Sequence, residues 1–275
     1  MIKRRHHLPW KAAGSASEQH HSADEVVRET GWVFNNQTGD DLNLGEFVET
    51  GNQETMAYMT AFGFDTSQFS DQTLVEIGAG IGRMTASFST MFQRVVACDL
   101  DAAFLERCRE TVARYGKPSR LQTSHVADGH TLDLPDDSAD LVFSYITLQH
   151  CAHDDAFALV REAARVAKPG GQVALNFRTW TAADGVLWPA GKVVRGAWRL
   201  PRIGQVLARQ RVATRLGWQA NRLTPTDVMG TVGDQLTDVR IFRSPKRRSF
   251  AVNGTTDAVF EGVHRSHWWL VATVR

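Results

Sequence analysis

Three carboxylates and three glycines stand at spacings that suit a nucleotide-like ligand. Glu76-Ile77-Gly78-Ala79-Gly80-Ile81-Gly82 places glycines at alternate positions behind an acid, Asp99 follows Gly78 by 21 residues, and Asp128 lies in Ala127-Asp128-Gly129. Glycine lets a backbone turn sharply and approach a ligand with no Cβ in the way. A helix start beyond the turn offers free N–H groups and a positive dipole end. An acid about 20 residues further on, at a strand tip, can accept hydrogen bonds from both ribose hydroxyls. An acid after a third strand can accept from an adenine amino group. Each residue also has a plainer reading: an ordinary strand-to-helix turn, a helix cap at Asp99, an Asp-Gly turn at Asp128. Asp101 is better placed to cap the next helix, which leaves Asp99 for a sugar.

The glycine spacing argues against a dinucleotide. That fingerprint wants G-x-G-x-x-G/A, and counting from Gly78 the sixth position is Arg83. A long side chain there opposes the close packing of helix on strand.

The elements that must hold these residues can be read from short apolar runs. Strands are expected at Thr73 to Ile77, Arg94 to Cys98, Arg120 to Val126, Ala139 to Tyr145 and Gln172 to Phe177. Helices are expected from near Gly82, from Ala102 after the cap Asp101, and from Asp154 to Ala167. Asp154 reads as the cap of its helix, and Lys168-Pro169-Gly170-Gly171 stops it. Further strands are expected at Leu236 to Phe242 and His267 to Val274, with a helix starting at Thr224-Pro225-Thr226-Asp227. Before the first strand, Asp24-Glu25-Val26-Val27 reads as a cap and first turn, and Asn52 to Phe62 as a helix. Apolar strands alternating with helices predict an α/β fold, a mostly parallel sheet covered on both faces.

Taken in order, Glu76-Ile-Gly-Ala-Gly-Ile-Gly82, Asp99, Ala127-Asp128-Gly129, the strand ending Ser144-Tyr145 and Arg165-Val-Ala-Lys-Pro-Gly-Gly171 resemble the class I S-adenosylmethionine-dependent methyltransferases. The resemblance covers roughly residues 70 to 178. It is closest to a bacterial small-molecule group with a Tyr-Ile-x-Leu/Phe-Gln-His segment, here Tyr145 to His150. It implies a seven-stranded Rossmann-like sheet with the last strand antiparallel beside the fifth. It implies S-adenosyl-L-methionine as cofactor, held by Glu76, Gly78, Gly80, Gly82, Asp99, Leu100, Asp128, Gly129 and Tyr145. In this family a segment before the glycine turn closes over the methionine end, for which Gly51, Gln53 and Glu54 are candidates beside plain packing against the sheet.

Transfer to a hydroxyl needs a base for its proton. His150, just past the fourth strand, is the leading candidate, since neutral imidazole suits that work near pH 7; the rival reading is a structural histidine bonding a loop carbonyl. Ubiquinone-type O-methyltransferases, which are similar here, carry Glu-x-x-Glu-His; aligned on His150, those acids are Ile146 and Gln149 in this chain. Hard cations want carboxylate oxygens, so no metal is expected.

Domain organisation reads as a disordered tail (1–23), a helical cap (24–69), the cofactor core (70–178), a basic insert (179–235) and closing strands (236–275). The tail's His pairs suggest no specific site. Between Gly185 and Thr226 there are eight Lys or Arg and no acid, while the whole chain carries +1, leaving −7 elsewhere. Arg195, Arg199, Arg202 and Arg209 would share a face if one helix ran through them, though Pro201 should break it. The favoured reading is O-methylation of a small-molecule, saccharide or lipid-linked acceptor, with the insert as a substrate-side lid and most individual arginines simply solvated. Peripheral contact with an anionic membrane is an alternative. A nucleic-acid methyltransferase is less favoured, because overall charge is near zero. A non-catalytic cofactor-binding protein is a third class that the binding acids do not exclude. The chain has 275 residues, no apolar run of membrane-spanning length, and three cysteines (Cys98, Cys108, Cys151) in no paired motif. A reducing cytoplasm fits, and the oligomeric state is open.

Overall fold

The computed structural model describes residues 22–34, 42–198, 200–208, 210–218 and 221–275. The expected disordered tail lies outside them, except for its last two residues. Eight strands form one sheet: β1 Thr73–Ile77, β2 Arg94–Asp99, β3 Leu121–His125, β4 Ala139–Ser144, β5 Ala167–Arg178, β6 Leu236–Arg243, β7 Thr256–Val259 and β8 His267–Val274. Their order is β3-β2-β1-β4-β5-β8-β6-β7, and β8 runs antiparallel between β5 and β6. All seven expected strands are present in the Rossmann-like arrangement. The eighth, β7, adds a short parallel edge to β6; its run Thr-Asp-Ala-Val is too short and polar to stand out as a strand.

Alternate residues of each strand feed opposite faces. Val75, Val96, Val142 and Val173 pack under helices α5 (His153–Val166) and α9 (Pro225–Val232). Leu74, Val95, Leu141 and Ala174 meet α2 (Leu44–Phe62) and the region opening α3 (Thr85–Met91). Helices α1 (Ala23–Phe34) and α4 (Ala102–Tyr115) complete that second face around Phe47, Phe104 and Cys108.

Several helix starts differ from the pattern reading. Helix α3 begins at Thr85 rather than near Gly82, because Gly82 holds φ +91 and no right-handed turn can run through it. Helix α5 begins at His153 behind Ala152, so Asp154 sits in its first turn and is not the cap. Asp24 likewise lies inside the first turn of α1, and Ser22 Oγ accepts from Glu25 N. Asp101 does cap α4, accepting from the N–H groups of Ala103 and Phe104. Helix α2 starts eight residues earlier than expected, at a capping box in which Asn43 and Glu46 satisfy each other's backbone N–H groups.

Helix α2 comes down directly on the glycine turn. An added Cβ at Gly51 would sit 2.2 Å from the Arg83 carbonyl oxygen. Gly→Ala inside a helix ordinarily stabilises by about 1 kcal/mol, but here the methyl meets backbone that cannot rotate away. Gly51→Ala should therefore destabilise by about 1–3 kcal/mol in denaturant unfolding.

The basic segment is not one helix. It folds as α6 (Asp184–Ala197), α7 (Pro201–Ala208) and α8 (Arg211–Trp218). The four arginines proposed for one face are thus divided: Arg195 is on α6 and Arg202 on α7, while Arg199 and Arg209 lie outside the described residues. Pro201 opens α7 at its first position, where a missing N–H costs nothing.

Candidate functional site

Parallel strands β1, β2 and β4 end on one edge, and the loops leaving their carboxyl ends assemble the site. After β1, Gly78, Gly80 and Gly82 take φ of +82, +55 and +91. The N–H groups of Gly78 and Ala79 both donate to Cys98 O, 2.8 and 3.1 Å away, which ties the turn to β2. Gly78 has no room for a side chain: a Cβ would lie 2.1 Å from Thr147 Oγ1.

Asp99 ends β2 and is buried. Its Oδ2 accepts from Gly80 N at 2.8 Å and its Oδ1 from Asp101 N at 2.9 Å. Burial pushes its carboxyl up to about 6, against the pull of those N–H groups. A carboxylate has about four acceptor positions, so capacity remains after both backbone bonds. Leu100 comes next, half-buried, its carbonyl 3.1 Å from His125 Nε2. Val126 N donates to Asp99 O at 2.9 Å and brings the loop after β3 alongside.

In that loop Asp128 is exposed and Gly129 has φ +81. Asp128 Oδ1 accepts from the N–H groups of His130 and Thr131, both at 2.9 Å. What desolvation it has works the other way, yet these bonds hold its carboxyl down at about 2. The turn reading of Asp128 is therefore realised, with Oδ2 directed to His130 Nε2 at 3.4 Å.

Glu76 is buried in β1 and accepts from Thr85 Oγ1 at 2.6 Å, pinning the first residue of α3. Burial pushes it up to about 7, partly opposed by Thr85 and Arg83. A raised carboxyl pKa favours the protonated folded state. Its stabilising effect is complete below the ordinary value of 4.5 and is lost as pH rises through about 7. Glu76→Gln, which mimics the protonated form, should leave unfolding free energy unchanged near pH 4.5. At pH 8 it should raise it by up to about 3 kcal/mol.

Arg83, which the glycine spacing marks only as an obstacle to a dinucleotide, is itself buried. Its guanidinium pairs with Glu54 at 2.7 Å, donates to Thr50 Oγ1 at 3.3 Å, and lies 5.9 and 5.8 Å from the Phe47 and Tyr145 ring centroids. Glu54 and Gly51 thus meet the glycine turn through Arg83, whereas Gln53 is exposed and bonds Glu49 on its own helix. Tyr145, at the end of β4, stacks on Trp269 of β8 with centroids 5.4 Å apart and lies 5.1 Å from Tyr58. Burial, then the Glu54 carboxylate, pushes its hydroxyl up to about 12. The next residue, Ile146, holds φ +51, a costly conformation for a β-branched side chain.

His150 is buried at the end of a 3-10 turn, Leu148–His150. Its Nε2 lies 3.1 Å from Gln149 Nε2; with the amide donating, the imidazole proton sits on Nδ1. Gln149 Oε1 is buried with no hydrogen-bond partner. The turn is held from outside by Asn221, whose Nδ2 donates to Leu148 O at 2.7 Å and Cys151 O at 2.9 Å.

The insert's described cations turn partly inward. Asp184, fully buried at the start of α6, accepts from Arg222 at 2.8 Å and Arg178 at 3.2 Å, with Thr181 on its other oxygen. Despite burial, these bonds hold its carboxyl well below the usual range. Arg195 donates to Gly217 O. Arg165 of the Arg-Val-Ala-Lys-Pro-Gly-Gly motif is an organiser as well, binding the carbonyls of Leu132 and Leu134 and pairing with Glu162 and Asp136.

Residues 75–175 match the family model described as a methyltransferase domain. It runs from within β1 to within β5 and takes in the glycine turn, Asp99, the Asp128 loop, Tyr145 and His150, but not α2, the insert with Asn221, or Trp269 of β8. Those residues form a class I S-adenosylmethionine-dependent methyltransferase domain. Among curated relatives, a malonyl-[acyl-carrier protein] O-methyltransferase of Yersinia pestis is 26% identical over 214 residues, covering 78% of this chain and 64% of that protein. A carboxy-S-adenosyl-L-methionine synthase of Pseudomonas putida is 32% identical over 116 residues, covering 40% and 47% respectively. The chain thus spans less than two thirds of the length of either. Among solved structures, magnesium protoporphyrin IX methyltransferase from Synechocystis PCC 6803, with bound SAH, has a TM-score of 0.56 at 15% identity, covering 92% of this chain and 97% of that one; it shares the fold. For this methyltransferase the glycine turn and a buried Asp99 with spare acceptor capacity fit S-adenosyl-L-methionine. Among the described residues no group of three or more His, Cys, Asp or Glu could hold a metal ion.

Proposed function

We propose that this methyltransferase acts on an oxygen of a small-molecule or lipid-linked acceptor, with His150 as general base. The observation that carries the cofactor half is the Asp99 carboxylate, fixed by the Gly80 N–H beside the glycine turn. In this reading Asp99 takes the ribose hydroxyls, and Gly78, Gly80 and Gly82 let the backbone close on the cofactor. Leu100, Asp128 and Gly129 face the adenine. Glu76 holds the first turn of α3 through Thr85, and Tyr145 walls the methionine end. When bound, S-adenosylmethionine supplies a methyl activated on a sulfonium.

The acceptor half rests on the pair Gln149–His150. A buried amide oxygen without a donor invites one from a ligand, and an acceptor hydroxyl could supply it. For His150 to take that hydroxyl's proton at Nε2, the Gln149 amide nitrogen must first move away. The Yersinia relative is named an O-methyltransferase, which favours oxygen over nitrogen or carbon. The insert leaves the end of β5 and returns through Asn221 to the His150 turn, so it stands on the acceptor side. Three free cysteines, two of them buried, suit a reducing cytoplasm.

Calorimetric titration with S-adenosylmethionine, and then radiolabelled methyl transfer to a panel of hydroxyl and carboxylate acceptors, tests the proposal. Saturable binding with transfer to oxygen is expected. Absence of saturable binding defeats it, and transfer only to nitrogen or carbon defeats its oxygen half.

A further inference from the structure

We infer that the outward face of helices α6 to α8 docks on an anionic lipid surface. The inner side of these helices is closed with small residues. Trp198 is buried beneath Gly204 and Gly217, where an added Cβ would come within 2.6 and 2.3 Å of it. Gly191 lies against the Leu216 carbonyl, at 2.4 Å by the same measure. With that seam filled, the large aliphatic side chains point out. Val186, Val193, Val206 and Val212 are 75, 72, 61 and 73% exposed, with Leu200 and Ile203 near half. Val186 and Val193 are seven apart on α6, and Ile203 and Val206 three apart on α7, so each pair shares a helix face. A segment whose inner seam is filled in this way has no folding use for six exposed aliphatics, and so many in one stretch of chain point to an interaction site.

Charge selects the occupant. Arg222 is spent on buried Asp184 at the start of α6, but the seven other Lys and Arg of the segment have no acid among them, and the net charge of +1 for the whole chain leaves the remainder acidic, a charge asymmetry that turns this side toward a negative surface. Lys192 and Arg202 are exposed among the aliphatics. Protein-binding hot spots are built on Trp, Tyr and Arg, with Val and Leu under-represented. Here Trp198 is buried and Trp188 packs edge-on to Trp180, with Lys192 over its ring. Protruding aliphatics interspersed with cations suit the headgroup–acyl boundary of a bilayer. Contact would be peripheral, since no described helix is long and apolar enough to cross a membrane.

The test is co-sedimentation of the full chain with sucrose-loaded vesicles, either phosphatidylcholine alone or phosphatidylcholine with phosphatidylglycerol at roughly 7:3, in about 0.1 M salt. Binding to the anionic vesicles should exceed that to neutral ones by ~10-fold or more. The variants Val193→Ser/Ile203→Ser/Val206→Ser and Lys192→Gln/Arg202→Gln should each lose ~10-fold or more, with thermal unfolding showing that both remain folded. No binding, or equal binding to both vesicle types, overturns the inference. So does undiminished binding of the aliphatic triple variant, or an apolar face occupied instead by a second copy, seen as a dimer that the triple variant abolishes. None of these readouts depends on methyl transfer, so failure here and failure of the proposed reaction are separable.

Discussion

Asp99→Ala should weaken S-adenosylmethionine binding by ~100-fold or more, measured by calorimetric titration at pH 8. A hydrogen bond to a charged group contributes about 1.5–3 kcal/mol, and two ribose hydroxyls on one carboxylate make two such bonds. The substitution also frees the N–H groups of Gly80 and Asp101, loosening the turn that must close on the cofactor. Asp99→Asn separates these effects, since its amide oxygen can still accept from Gly80; a loss nearer ~10-fold is expected. Wild-type affinity should be flat above pH 7 and fall as pH drops through about 6. Protonation there turns an acceptor of hydrogen bonds into a partial donor. Asp99→Asn should lack that acidic limb. Unchanged affinity in Asp99→Ala, with the fold intact, would remove Asp99 from the cofactor site.

The second large effect concerns His150. His150→Ala should lower kcat by ~10²-fold or more while the dissociation constant for S-adenosylmethionine holds. The variant should also lose the ionisation that a histidine base imposes on the pH dependence of kcat. The alternative role for this buried side chain is to fill the turn that Asn221 braces. A structural role would show as a lower unfolding temperature and a weakened cofactor complex, with the pH profile retained in whatever activity survives. Full activity in His150→Ala would assign the imidazole to the turn alone.

Much of the site was legible because its signals are local. The alternate glycines, the acid 21 residues after Gly78, and the apolar runs of β1, β2 and β4 each lie within a few residues of chain. Parallel strands joined by crossover helices are covered on both faces, which is why these runs are apolar throughout and readable. Less legible were the features made by distant partners. Arg83 becomes a buried link only because Glu54 and Thr50, on another helix, come to meet it. Asn221 holds the Leu148–His150 turn from about 70 residues away in sequence, and no pattern near either end announces it. The early start of α2 was readable from Asn43-x-x-Glu46, a capping box overshadowed by the polar residues around it. The division of the insert into three helices was half-announced by Pro201; the separation of α7, ending at Ala208, from α8, beginning at Arg211, carries no such marker. Asp128 shows the opposite limit, since its Asp-Gly pair told equally of a turn and of a ligand, and the turn is what the backbone bonds display.

The Asn221 amide joins the returning end of the insert to the His150 turn. Through it and its backbone N–H, which donates to Gln149 O at 3.2 Å, the returning end of the insert carries the carbonyls of the His150 turn. A ligand that changes where Asn221 sits must therefore shift His150 with it. Energetic coupling of this kind is reciprocal: if a surface bound by the insert improves seating of an acceptor, a seated acceptor tightens hold on the surface by the same factor. In an enzyme built this way, turnover would report where the molecule is as well as what it has bound, the behaviour known as interfacial activation.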